Sequence, residues 1–150
     1  MVLCSRCSAA IFVATLAALA LVSAGCSGDE ETTVDVTLQE FAVVPAASSA
    51  SAGDVTFDVT NEGPDDVHEF VVFKTDLAPD ALPTVANGSV DEEGAGVELI
   101  DEIEDIAVGD TPTLTVTLDA GSYVFICNIY DEEEQEAHYQ EGMRVGFTVE

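Results

Sequence analysis

Positive charge is almost missing from this chain. Three Lys and Arg stand against 30 Asp and Glu in 150 residues. All the acids lie beyond Cys26, where only Lys74 and Arg144 oppose them, so that part carries a formal charge near −28, 30 acids less two bases. A surface of that sign repels phosphate backbones and anionic headgroups, which excludes nucleic acid and anionic membrane surfaces as partners. Because the acids are spread along the chain, the charge reads first as a solvated surface suited to salty surroundings. The second reading is a field that steers cationic partners toward the protein.

Soft and imidazole donors are scarce as well. The chain has two histidines, His68 and His138, and one methionine beyond the initiator, Met143. Of its four cysteines only Cys127 lies beyond residue 26, so no disulfide can close within the later part. A lone thiol in an exported protein calls for an explanation, either metal ligation or burial as a small apolar side chain.

Residues 1–26 read as an export signal: Arg6 is the only charge, an apolar stretch runs from Ala9 to Val22, and Ser23-Ala24-Gly25 precede Cys26. Small residues before Cys26 and the polar Ser-Gly-Asp-Glu-Glu tract after it resemble a bacterial lipoprotein signal, with Cys26 as the lipid-modified N-terminus. Ser23 departs from that pattern, which favours an aliphatic residue there, so simple secretion or an uncleaved anchor stay open. The apolar stretch is short for a membrane span. Cys4 and Cys7 would leave with the signal. Residues 27–33 then form an acidic tether, and 34–150 are the size of one domain.

Alternating apolar and polar residues mark the strands. Val34 to Phe41 is the first, and in Asp54 to Asn61 the side chains of Val55, Phe57 and Val59 share one face. After the turn Glu62-Gly63-Pro64-Asp65-Asp66, a strand runs from Val67 to Phe73. Thr113 to Leu118, Ser122 to Ile129 and Met143 to Val149 complete the clear set, while the Ala-Ala-Ser-Ser-Ala-Ser-Ala run after Pro45 reads as a surface connection. Residues 76–106 are an excursion, and Val97 to Ile106 fits helix and strand templates equally. About seven strands without a long helix predict an antiparallel β-sandwich.

His68 sits near the start of one strand, Cys127 at the end of another, His138 in the loop that follows and Met143 at the start of the last. Two imidazoles, a thiolate and a thioether are the ligand set of a mononuclear blue-copper site, acceptable to both oxidation states of the metal. The chain resembles the cupredoxin family in Val59-Thr60-Asn61-Glu62-Gly63 leading to His68-Glu69-Phe70-Val71-Val72, in Gly121-Ser122-Tyr123-Val124-Phe125-Ile126-Cys127, and in His138 and Gly142-Met143 before Phe147-Thr148-Val149. The resemblance spans most of residues 34–150. It implies an all-β Greek-key sandwich holding one type 1 copper on His68, Cys127, His138 and Met143, used to shuttle single electrons to a redox protein partner.

Two departures from that family stand out. Residues 128–137 put ten positions between Cys127 and His138, more than plastocyanin-like members have, which weakens the constraint on the site. Glu69 follows the first histidine where many relatives carry Asn, and an ionised carboxylate cannot donate the same hydrogen bond. Asn128 is the candidate to take over that role. The expected function is thus an exported, lipid-anchored electron carrier. The alternatives are a copper chaperone, which the single Met143 disfavours, and a metal-free surface lipoprotein. Catalysis is not expected, because a hydrolytic triad would reuse the same two histidines and multicopper chemistry needs further His-x-His pairs.

Overall fold

The computed structural model describes residues 32–150. The signal segment, Cys4, Cys7, Cys26 and all but the last two residues of the tether lie outside them. Chain order is β1 (Thr32–Gln39), β2 (Ala42–Pro45), β3 (Ser49–Ala50), β4 (Gly53–Gly63), β5 (His68–Lys74), β6 (Glu98–Ile106), β7 (Thr113–Leu118), β8 (Gly121–Ile126), β9 (Tyr130–Asp131), β10 (Glu136–Ala137), the one-turn helix α1 (His138–Glu141) and β11 (Arg144–Val149).

Two sheets form a sandwich, one of four strands in the order β2-β1-β4-β7 and one of five in the order β3-β11-β8-β5-β6. Both sheets are mixed rather than purely antiparallel, since β1 runs parallel to β4 and β3 parallel to β11. The first strand begins at Thr32 and ends at Gln39, and a turn at Glu40-Phe41 leads into β2, which folds back on it. The small-residue run after Pro45 contributes β3, whose two residues pair with the end of β11.

Alternation along each strand builds the core between the sheets. Val34, Val36 and Leu38 of β1 and Val55, Phe57 and Val59 of β4 meet Phe70, Val72, Tyr123, Phe125 and Phe147. Phe57 lies at the centre of an aromatic cluster, with ring centroids 5.4 Å from Phe70 and 5.1 Å from Phe125, spacings at which aromatic pairs attract. The opposite face of the five-stranded sheet is covered too. Val71, Phe73, Val124 and Ile126 pack against Leu82 and Val90 of the excursion and against Tyr139.

The ambiguous stretch before Ile106 is the edge strand β6. Its apolar residues Ile100, Ile103 and Ile106 are three apart, as on a helix, yet all three reach the main core. Two irregularities in the β5–β6 register make this possible, because an extra residue in β6 at each one restores the inward direction.

Candidate metal centre

The inward rows of three strands each end in a polar side chain. His68 continues the row of Phe70 and Val72, Cys127 continues Tyr123 and Phe125, and Asn61 continues Val55, Phe57 and Val59. All three are fully buried at the same end of the sandwich. The loop after Cys127 then returns His138 to them. The pairs Glu136↔Asp131 and Ala137↔Tyr130 close a small hairpin, and the His138 N–H donates to the Ile129 carbonyl at 2.9 Å.

Three donor atoms converge there. His68 Nδ1 is 3.2 Å from His138 Nδ1, and Cys127 Sγ lies 3.4 Å from His138 Nδ1 and 3.8 Å from His68 Nδ1. These residues are the one His, Cys and carboxylate group among the described residues with metal-binding spacing. First-row ions sit about 2.0–2.1 Å from imidazole nitrogen and about 2.3 Å from thiolate sulfur, so donors around one ion stand roughly 3.3–3.8 Å apart. The two N–S spacings lie in that range and the N–N spacing of 3.2 Å just below its lower edge. Met143 is buried beside the loop; its N–H donates to the His138 carbonyl at 3.0 Å and its carbonyl accepts from Cys127 N–H at 3.1 Å.

Electrostatics favour neutral ligands. Burial pushes the Cys127 thiol up to about 12, against hydrogen bonds from the backbone of Glu69 and Ile129. Burial also holds the two imidazoles below their ordinary value, with the neighbouring His138 adding to the effect on His68. A neutral imidazole that offers Nδ1 carries its proton on Nε2. His68 Nε2 has no hydrogen-bond partner but faces Glu40 Oε1 at 3.5 Å, the carboxylate-behind-imidazole arrangement common to metal-ligating histidines. Burial acts to raise the Glu40 pKa, but the N–H groups of Asp66 and Asp65, at 2.7 and 3.1 Å from Oε1, help bring it below the usual value.

Glu69 does tie the ligand segments together, as an acceptor. Its Oε1 takes the Asn128 N–H at 2.7 Å, while its own N–H points to Cys127 Sγ at 3.4 Å. Burial raises its carboxyl to about 7, against the Asn128 bond and with help from the carboxylates of Glu102, Glu92 and Glu104. The Asn128 side chain does not take the role expected of it. It reaches outward, accepting from Val90 N–H at 2.5 Å and donating to the Val90 carbonyl and to Glu92 at 3.1 and 3.0 Å.

Four residues outside the expected ligand set and its two neighbours also shape the site. Glu40 backs His68, and the Phe41 ring meets the His138 ring edge-on at 5.2 Å. Asn61 donates to the carbonyls of Asp66 and Ile106 at 2.8 and 2.9 Å and accepts from Gly63 N–H at 2.8 Å, fixing the turn ahead of His68. Its position in an inward row was the available signal, because a polar group there must find partners. Tyr139 is the fourth.

His138, 2 % exposed, lines a depression of about 510 Å³ together with Asp65, Asp66, Asp105, Asp131, Val67 and Ile129.

Two β-sheets face to face with a His–Cys–His set at one end define the fold as that of the cupredoxins. No family model matches the chain, and no curated protein matches it. Solved structures carry the likeness. Dithionite-reduced auracyanin from the photosynthetic bacterium Roseiflexus castenholzii is 21% identical, with 80% of this chain and 98% of that one aligned at a TM-score of 0.54. Auracyanin A, a blue copper protein of the green thermophilic photosynthetic bacterium Chloroflexus aurantiacus, is 20% identical over 80% of this chain and 99% of that one, TM-score 0.54. Reduced rusticyanin is 17% identical over 79% and 78%, TM-score 0.51.

Proposed function

We propose that this chain is a type 1 copper protein that carries single electrons, with His68, Cys127 and His138 as strong ligands and Met143 as the weak axial one. The observation that carries the reading is the convergence of two Nδ1 atoms and one Sγ within 3.8 Å of one another in a fully buried pocket. The fold shared with auracyanin A, a blue copper protein, supports it. Bound copper supplies a one-electron couple between Cu(I) and Cu(II). The chain's part is to hold the donors still. His68 and Cys127 end packed strand rows, Glu69 joins their segments through Asn128 N–H, and burial keeps water away.

Carrying electrons rather than catalysing a reaction fits a site that engages both histidines and the only thiol beyond residue 26. His138 is the ligand next to the depression, and the aspartates around it favour a redox partner with a basic surface. Export, with the membrane reached through a lipid on Cys26, rests on the Ser23-Ala24-Gly25-Cys26 sequence.

Cu(II) titration of the metal-free protein tests the reading. One equivalent with an intense thiolate-to-copper absorption and a narrow hyperfine splitting in electron paramagnetic resonance is expected, and Cys127→Ser should lose both. A wild-type titration without that absorption would refute it.

A further inference from the structure

The ten residues between Cys127 and His138 leave the second imidazole on a long tether, which by itself would let it wander. The hairpin inside that loop has only two residue pairs and cannot hold its own place. Besides Ile129, which packs on the main core, and Phe41, whose ring meets His138, the part of the excursion over residues 76–97 holds the loop. Asn128 grips Val90 at one end of the loop, and Gln140 Nε2 donates to the Gly88 carbonyl at 2.9 Å at the other.

Between these ties stands Tyr139, next to His138 in sequence and buried against the outer apolar face of the five-stranded sheet. Its hydroxyl donates to the Pro79 carbonyl at 2.9 Å and accepts from Leu82 N–H at 3.1 Å. Its own carbonyl accepts from Arg144 Nη1, and the Arg144 guanidinium lies over its ring, 5.1 Å from the centroid. The residue is therefore clamped at hydroxyl, ring and backbone, one peptide unit from the imidazole.

Resting on the copper reading for its ligand, we propose that Tyr139 is the positioning residue of His138. Its hydroxyl, locked onto the 79–82 segment, substitutes for the rigidity that a short ligand loop would otherwise provide. The excursion is then a brace for the metal site as well as a cover for the sheet.

Tyr139→Phe keeps the ring and the backbone contact with Arg144 and removes the hydroxyl's bonds to Pro79 and Leu82. Val116→Ala, in the core of the other sheet, is the control for a general loss of stability. Two readouts separate position from stability. In the metal-free chain, hydrogen exchange at the amides of His138 and Met143, bonded to the Ile129 and His138 carbonyls, should speed up about tenfold relative to Val116→Ala at matched stability, the factor for a lost hydrogen bond of ordinary strength. In the copper-loaded chain, Tyr139→Phe should widen the hyperfine splitting and shift the reduction potential, with Val116→Ala showing neither. Faster exchange confined to Leu82, with an unchanged copper spectrum, would overturn the proposal. If Tyr139→Phe fails to fold, native-state exchange of the wild type replaces it: the Leu82 amide, bonded to the Tyr139 hydroxyl, should open together with those of His138 and Met143 as one unit, and separate opening would overturn the proposal. A wild-type chain that gives no thiolate-to-copper band would sink the copper reading instead, and the exchange experiment would still decide whether Tyr139 holds the loop.

Discussion

Replacing Asn61 by Ala should cost this domain more than any surface change, and the structure sets the size of the loss. Asn61 is buried and makes three hydrogen bonds, to the carbonyls of Asp66 and Ile106 and from Gly63 N–H. Each bond contributes about 0.5–1.5 kcal/mol net, and the truncation strands partners in a place water does not reach, so about 3–4 kcal/mol is expected in all. Unfolding entropy near 2.1 cal/mol/K per residue over the 119 described residues, 32 to 150, converts this to a fall in Tm of about 12–16 °C. Thermal and urea unfolding of the metal-free protein, followed by circular dichroism, measure it. A loss below about 1 kcal/mol would refute the reasoning, because it would mean that the turn ahead of His68 is held by something other than this side chain. Asn61→Asp separates the donors from the acceptor. The new carboxylate still accepts from Gly63 N–H but faces two carbonyls without a proton, so the loss at pH 7 should be at least as large. It should shrink as pH falls, since a buried carboxyl is protonated more readily in the folded state than in the unfolded one.

Three further outcomes follow from the site and the charge. Glu69 rises from the usual 4.5 to about 7 on folding. The folded state therefore holds the extra proton between those values, and metal-free wild type should lose stability across pH 4.5–7 relative to Glu69→Gln, by about 3 kcal/mol at most. Parallel unfolding curves for the two proteins over that range would contradict it. Copper loading at pH 7 should release about one proton, from a Cys127 thiol held up to about 12, while the two imidazoles are already neutral. Affinity should then weaken by about tenfold for each unit that pH falls, and calorimetry in buffers of different ionisation enthalpy would count the proton. Finally, the near-absence of positive charge predicts self-repulsion, so the Tm of the metal-free protein should climb as sodium chloride rises from low to physiological concentration; an unchanged Tm would show that the acids are too far apart to interact.

Much of this was legible because a strand's two-residue period carries its burial pattern openly. The row Val55-Phe57-Val59 could be read before any coordinate, and His68 and Cys127 fall at the start of one strand and just past the end of another. The strand β6 was not legible, since bulges turned a two-residue period into the three-residue spacing of Ile100, Ile103 and Ile106. Parallel pairing of β1 with β4 also leaves no local trace, because it joins residues more than twenty positions apart, Thr32 with Val55 among them. The same limit hid Glu40 and Tyr139, whose roles come from partners remote in sequence: Glu40 meets His68, and Tyr139 meets Pro79. Glu69 was read from its chemistry as unable to donate when ionised; that it serves by accepting depended on where the Asn128 N–H happened to point.

The parallel alignment of β1 with β4 also orients the whole domain. Thr32 pairs with Val55 and Gln39 with Gly63, so β1 runs toward the pole that bears the histidines, and its first residue lies at the opposite pole, about 23 Å away along the strand. Anything that grips this protein by the chain ahead of Thr32 therefore grips it by its base. Under the proposed lipid anchor on Cys26, the depression that His138 lines would sit at the pole opposite the entry of the chain, and the proposed redox partner would dock at the pole farther from the membrane.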